Sequence, residues 1–386
     1  MKLHGITVLD LSLFLPGPTV SQMMADHGAR VIKVENVGDG EPNRHIGQKR
    51  GTQTVYFECT HRGKESLSVN LKDERGLTLF RQLASQADVI IESFRPGVVA
   101  RLGIDYESIR QVRPDIIYAA ISAYGQSGPL ATDPAHDLAV QAMCGLLSNN
   151  IDATGTPVMP GLPAGDMLAA TLTLSGILMA LYRRTATGEG DYLDVAMMDS
   201  ILACMPNSMG EVFAEKRPPR PAEERIWGGA AMYRVYETRD NKHIVLGGSE
   251  IKFARNLLTA LERPDLIALC ELPPGGGQQP LIEYFTTLFR SRSQADWIEF
   301  FAGLDVCFAP VNDLRTGLDL PQTRHREMCL EDASGKEHLG TPLKFHHEPA
   351  ALQLAAPAHG AHTAAILSSL GYTGEDIARL RKDGVV

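Results

Sequence analysis

The stretch ITVLDLSLFLPGPTVSQMMADHGARVIKVE, Ile6 to Glu35, decides the fold class. Its two ends, ITVLDLS and ARVIKVE, are short, β-branched and apolar at successive positions, so each reads as a strand buried on both faces. Between them PTVSQMMADHG follows a helical pattern. Strand, helix and strand at this spacing form a βαβ unit, which requires the two strands to lie parallel. The same alternation returns downstream in GLTLFRQLASQ, ADVIIES and, after ESIRQVRP, DIIYAAIS. The N-terminal region is therefore predicted to be α/β and Rossmann-like.

Beyond this region the pattern changes. Pro134 to Leu202 is mainly helical, with HDLAVQAMCGLLS and DMLAATLTLSGILMALYRR as its clearest members, followed by the turn ATGEGDY and by YLDVAMMDSILACM. AEKRPPRPAEER, Ala214 to Arg225, mixes proline with both charges and reads as a linker. MYRVYETRDNKHIVLGG then reads as a hairpin turning at Arg239 to Lys242. Three helical patterns, FARNLLTALERPDL, LIEYFTTLFRS and QADWIEFFAGL, complete a small α+β domain. PPGGGQQP, Pro273 to Pro280, is expected to be a flexible loop and lacks the Lys-Ser/Thr of a phosphate loop.

Composition excludes several classes of function. The 386 residues are 44% hydrophobic and 22% charged, values of an ordinary globular protein. Net charge is −9 and no basic stripe exists, which argues against nucleic acid or an anionic membrane as partner. MKLHGITVLDL reads as a first strand rather than a signal peptide, and no run of about 18 apolar residues is expected to span a membrane. Six scattered cysteines show neither C-x-x-C nor a Cys/His ligand spacing, so they read as reduced thiols of a cytoplasmic protein, with no metal site. GPTVSQ has the wrong glycine spacing for a dinucleotide fingerprint, which excludes NAD on that motif.

Asp166 precedes a long apolar helix pattern in PAGDMLAATLTLSG, where an acid serves as a helix cap or is held for chemistry. The Gly and Pro before it allow a ligand close approach. The apolar helix after it implies a start shielded from water. His136 and Asp137 open the next-best candidate, AHDLAVQA. Asp137 reads as the cap of its own helix, and His136 has the side chain suited to proton transfer near neutral pH. Glu250, after HIVLGGS, reads as a cap of IKFARNLLTAL, and Gly228 and Gly229 as a turn before a strand.

Taken in order, LPGPTVSQMMADHGARVIKVE, THRGKESLSVNLK, ESFRPGVVARLG, ISAYGQSGP, AHDLAVQA, PAGD, RRTATGEGDYLDVAMMDS and LRKDGVV resemble the family III CoA-transferase (CaiB/BaiF) superfamily, which also contains the α-methylacyl-CoA racemases. The resemblance runs through nearly the whole chain. It implies a large Rossmann-like domain built from both chain ends, 1–213 and 325–386, a linker at 214–225 and an inserted small α+β domain at 226–324. It also implies an interlocked homodimer and a CoA thioester as substrate, with no metal and no cofactor beyond coenzyme A itself. Asp166 takes the catalytic aspartate position. Lys72, Phe94, Arg101 and Leu102 match positions near the CoA nucleotide, where a cation suits a phosphate. Some relatives carry a basic residue after the K-V-E strand where this chain has Asn36 and Val37.

The resemblance leaves two reactions open. In the transferases the aspartate attacks the acyl-CoA carbonyl, a mixed anhydride forms and CoA returns to a second carboxylic acid. There the backbone amides of a glycine segment hold the developing oxyanion, with Gly228 and Gly229 as the local candidates; in the racemases the aspartate and a histidine exchange the α-proton from opposite faces of an enolate, whose oxygen needs hydrogen-bond donors. His136, where transferases have Tyr or Phe, points to the racemases. So do LPGP, WGGAAMY and Glu250, which matches an acid supporting the histidine side. PAGD also fits the transferases. The racemase-like reading leads, the CoA transferase is the alternative, and a catalytically silent CoA-binding dimer is a third class argued against by the retained Asp166 and His136.

Overall fold

The computed structural model describes residues 1–152 and 154–386. Six strands form an all-parallel sheet: β1 Thr7–Asp10, β2 Arg30–Glu35, β3 Glu65–Ser68, β4 Val89–Glu92, β5 Ile117–Ser122 and β6 Asp191–Ala196, in the spatial order β3-β2-β1-β4-β5-β6. This is the doubly wound order expected from the opening βαβ unit. The central strands are buried on both faces, as continuous apolar runs such as VIIE and IYAAI require.

Each sheet face is covered by helices. On one side α1 (Glu74–Ala84), α2 (Thr363–Ser369) and α3 (Gly374–Lys382) meet the sheet through Leu79, Phe80, Leu83, Ile366, Leu367 and Leu380, packed with Leu9, Ile32, Leu67 and Ile90. The C-terminus is tied into this layer, since Asn70 N donates to Val385 O (2.8 Å) and Ser68 N to Thr363 Oγ1 (3.0 Å). Residues more than 290 apart in sequence thus share one core. On the other side lie α4 (Pro16–Asp26), α5 (Asp137–Met143), α6 (Ala164–Thr187) and α7 (Met197–Ala203).

By length and composition alone α6 is apolar enough to cross a membrane, with a mean hydropathy of 1.6. This departs from the expectation that no such stretch exists, because Gly, Thr and Ser interrupt the apolar run while its Leu, Ile, Met and Ala keep the mean high. Its Ala169, Ala170, Thr173 and Ile177 are buried, whereas Met179 and Tyr182 face outward at 69% and 81% exposure.

The chain divides into two compact units: residues 1–144, 161–204 and 321–386, and residues 145–160 with 205–320. The structural division thus falls after Cys204 rather than at 213, and the second unit ends at Leu320 rather than 324. Ala214 to Arg225, read as a linker, lies inside the second unit, where Arg217 bridges Glu215 and Glu224 (2.6 and 3.0 Å). Mixed charge there serves local ion pairs instead of a free spacer.

The second unit contains the hairpin β7 (Tyr233–Glu237) and β8 (His243–Gly247), extended antiparallel by β9 (Phe308–Pro310). Helices α8 (Ile251–Ala260), α9 (Gln279–Phe289) and α10 (Gln294–Phe301) cover it around Phe285, Phe289, Trp297 and Phe301. The segment expected to be a flexible loop at Pro273 to Pro280 is instead a 3₁₀ turn, Gly275–Gln278, running directly into α9. Gln278 explains the order: it accepts from Ala231 N (3.0 Å) and donates to Cys270 O and Leu272 O (3.2 and 2.7 Å).

Candidate functional site

The order of the parallel strands predicts where a ligand can enter. The order in which strands are added reverses between β1 and β4, so the loops leaving their carboxyl ends diverge and open a crevice. A cavity of about 370 Å³ lies there. Leu13 and Phe14 come to it from the loop after β1, Ser93, Phe94 and Arg95 from the loop after β4, and Ser122 from the end of β5. His136, Asp166 and Met197 complete the wall.

Asp166 is not the cap of its helix. The helix starts at Ala164 with Pro163 in the cap position, which places Asp166 in the first turn. A proline offers no side-chain acceptor, and the vacant role is filled from the neighbouring helix. Asp137 Oδ1 accepts from Gly165 N (2.7 Å) and Asp166 N (3.2 Å), while Oδ2 accepts from Gln141 Nε2 (2.6 Å). Asp137 therefore caps α6, not α5 as its sequence position suggested. Gly165 permits the approach, since a Cβ there would stand 3.0 Å from Asp137 Oδ1 and 3.3 Å from Ile201 Cδ1.

This arrangement sets the charge of Asp166. Burial, followed by the negative charge of Asp137, pushes its carboxyl up to about 7. The Tyr56 phenol lies within reach of that charge: burial and then Asp166 raise it to about 12, so it stays protonated beside the site. Tyr56, in the short helix Val55–His61, has no sequence signal that separates it from a core aromatic.

His136 occupies the cap position of α5 with extended backbone (φ −120°, ψ 171°) and an exposed side chain. Its ring stands edge-on to Phe14, with centroids 5.6 Å apart and planes at 87°. His136 and Asp166 thus border one cavity, although 30 residues separate them in sequence.

A second cavity of about 230 Å³ shares Leu13 and Phe94 with the first. Lys72 and Leu102 line it together with Asn36, Val37 and Asn70. Arg101 does not: it is exposed at the end of the short helix Val98–Arg101 and borders neither cavity. Asn36 closes its own loop, donating to Gly40 O (3.1 Å) and accepting from Gly38 N (2.8 Å).

Glu250, Gly228 and Gly229 belong to the second unit. Glu250 stands in the cap position of α8 but makes no side-chain cap bond, and it borders a cavity of about 510 Å³ with Arg225, Tyr233, Ser249 and Gln278. Gly229 N donates to Glu224 O (3.0 Å), so this amide is already engaged within its turn. Of the methionines near the site in sequence, Met197 lines the first cavity and Met159 is 78% exposed in the second unit. Among the described residues no group of three His, Cys, Asp or Glu side chains gathers as a metal site.

Beneath the first cavity lies a buried ionic network. Asp10, the last residue of β1, meets Lys64 (3.0 Å) and Lys33 (3.5 Å), and Lys33 meets Glu41 (3.0 Å), all with fully buried side chains. Ser12 and Ser21 each donate to Asp10 at 2.5 Å. Burial alone would raise the Asp10 pKa, but the two lysines and two hydroxyls hold it far below the ordinary carboxylate range. Burial brings Lys64 down to about 8 against the attraction of Asp10. None of these side chains lines the cavity except through the loop they support.

Comparison with known proteins places the chain in a family. The family model described as CoA-transferase family III matches residues 3–363. The acetyl-CoA:oxalate CoA-transferase of Acetobacter aceti is 33% identical, covering 91% of this chain and 92% of that protein. The alpha-methylacyl-CoA racemase of Mus musculus is 30% identical over 100% of this chain and 98% of its own. A CaiB/BaiF family protein from Brucella suis has a similar structure, with TM-score 0.83, 26% identity and coverage of 96% and 99% of the two chains. A doubly wound sheet with a cavity at its switch point, and relatives matched from end to end, lead to one conclusion: the chain belongs to CoA-transferase family III.

Proposed function

We propose that the protein epimerises the α-carbon of a 2-methylacyl-CoA thioester by proton transfer between Asp166 and His136. The observation that carries this reading is the presence of both side chains on one cavity wall system at the sheet's switch point. Asp166 removes the proton from C2, the electron pair passes into the thioester to give an enolate, and His136 delivers a proton to the opposite face. The reverse reaction exchanges their roles. A general acid/base works best with its pKa near the operating pH, and about 7 meets that requirement for Asp166. The adjoining cavity with Lys72, Phe94 and Leu102 is assigned to the CoA nucleotide. We further take the protein to be a cytoplasmic homodimer that uses coenzyme A only as part of its substrate.

A transferase is the second reading, supported by the 33% identity with a CoA-transferase that names oxalate as its acceptor. In that case the Asp166 carboxylate attacks the thioester carbonyl, CoA leaves, and a second carboxylic acid receives it. That chemistry needs the anion and assigns no covalent step to His136. Incubation with (R)- or (S)-2-methylacyl-CoA in deuterated water separates the readings. Deuterium at C2 with loss of optical purity supports the epimerase. CoA transfer to an added dicarboxylate without exchange overturns it.

A further inference from the structure

We propose that Phe14 is a positioning residue for His136, a role that rests on the epimerase reading above. Phe14 is one of few non-glycine residues with left-handed backbone (φ 64°), a conformation unfavourable for a bulky side chain. The surroundings hold it there on both sides of the residue. Its N–H donates to Glu41 Oε1 (2.9 Å), and its carbonyl accepts from Asn43 Nδ2. One residue earlier, Leu13 N donates to Ser93 Oγ (2.8 Å), which joins the loop to the other lip of the crevice. Glu41 and Asn43 are fully buried, and Glu41 is itself paired with the buried Lys33.

A costly conformation retained by buried polar groups implies a gain elsewhere. The consequence visible in the fold is the placement of the ring. Instead of entering the core like its neighbour Leu11, Phe14 projects into the cavity and stands edge-on to His136 at 5.6 Å. Among the described residues no hydrogen-bond partner orients the His136 ring, so the aromatic contact is the directional interaction it has. Edge-to-face geometry aligns the positive rim of one ring with the negative face of the other and thereby restricts rotation. The buried network around Asp10, Lys33 and Glu41 reaches the chemistry through this loop.

Replacing Phe14 with Gly tests the role without strain, because glycine accepts the left-handed backbone. Phe14→Tyr retains the ring as the conservative control. Each enantiomer of a 2-methylacyl-CoA in deuterated water presents its α-proton to a different base, so face-specific exchange reads the two groups separately. Phe14→Gly is expected to melt at or above the wild-type temperature, to lose about 10- to 100-fold in exchange of the His136-side enantiomer, and to retain exchange on the Asp166 side. The His136 ring-proton resonances should shift toward free-histidine positions in the same variant. Phe14→Tyr should restore both properties. Equal loss on both faces, or unchanged His136 resonances in Phe14→Gly, overturns the proposal. Absence of exchange in the wild type overturns the epimerase reading instead, and the resonance measurement then decides the Phe14–His136 contact by itself.

Discussion

Asp10 is a fully buried carboxylate and Asp166 a half-buried one, and their surroundings treat them in opposite ways. Asp10 faces two lysines and two hydroxyl donors, which keep it ionised. Asp166 faces burial and another acid, which push it up to about 7. A carboxylate surrounded by compensating charge holds structure. One left uncompensated beside a cavity retains a proton to exchange, and that difference is the reason Asp166 rather than Asp10 is proposed as the reacting group.

The largest expected effect comes from breaking the compensated side. Asp10→Ala leaves Lys33 and Lys64 buried without their shared anion and should cost about 3–5 kcal/mol of stability, measured by urea unfolding. Removing the uncompensated side should act on activity instead. Asp166→Asn is expected to lower turnover by about 10²–10⁴-fold, whichever acyl-CoA reaction is followed. The same variant should unfold at higher denaturant than wild type at pH 8, by about 1–3 kcal/mol, since it no longer buries an anion. A variant destabilised at that pH would show that Asp166 has a structural partner.

The pH dependence sharpens the contrast further. The folded pKa of Asp10 is lowered, so its stabilisation is present above the ordinary carboxylate pKa and is lost as pH falls through the folded value. Asp166 has a raised folded pKa, so its contribution is present at acid pH and is lost as pH rises from about 4 to about 7. Asp166→Asn should therefore narrow the loss of stability between those two pH values, as followed by thermal melts. In catalysis, Asp166 must be an anion to remove a proton, so exchange of the α-proton on its side should slow about tenfold per pH unit below about 7.

Asp137→Asn gives the smallest effect and tests the link between the two acids. An amide oxygen can still accept from Gly165 N and Asp166 N, so the cap should lose no more than about 1 kcal/mol. Loss of its charge should lower the Asp166 pKa and move the rate profile toward acid. An unmoved profile would assign the raised pKa of Asp166 to burial alone.

Much of the fold was legible because local patterns report it. Apolar runs flanked by helical spacing required a parallel sheet, and the hairpin at Tyr233–Glu237 and His243–Gly247 followed from alternation around a turn. The glycines of PPGGGQQP misled for the opposite reason: their order depends on Gln278 reaching carbonyls and an amide outside the segment. Asp166, His136 and Lys72 stood in recognisable motifs. Phe14 and Tyr56 did not, because an aromatic residue in an apolar stretch has the same sequence signature whether it enters the core or a cavity.

The sequence by itself thus determined the fold class, the family and the residue types available for chemistry, since strand periodicity and motif order are properties of neighbours along the chain. Only the tertiary structure decided which acid caps α6, which one carries the raised pKa, and which aromatic ring meets His136. Those outcomes depend on burial and on charges brought together from distant segments, and electrostatic energy responds to distance in space rather than to position in sequence.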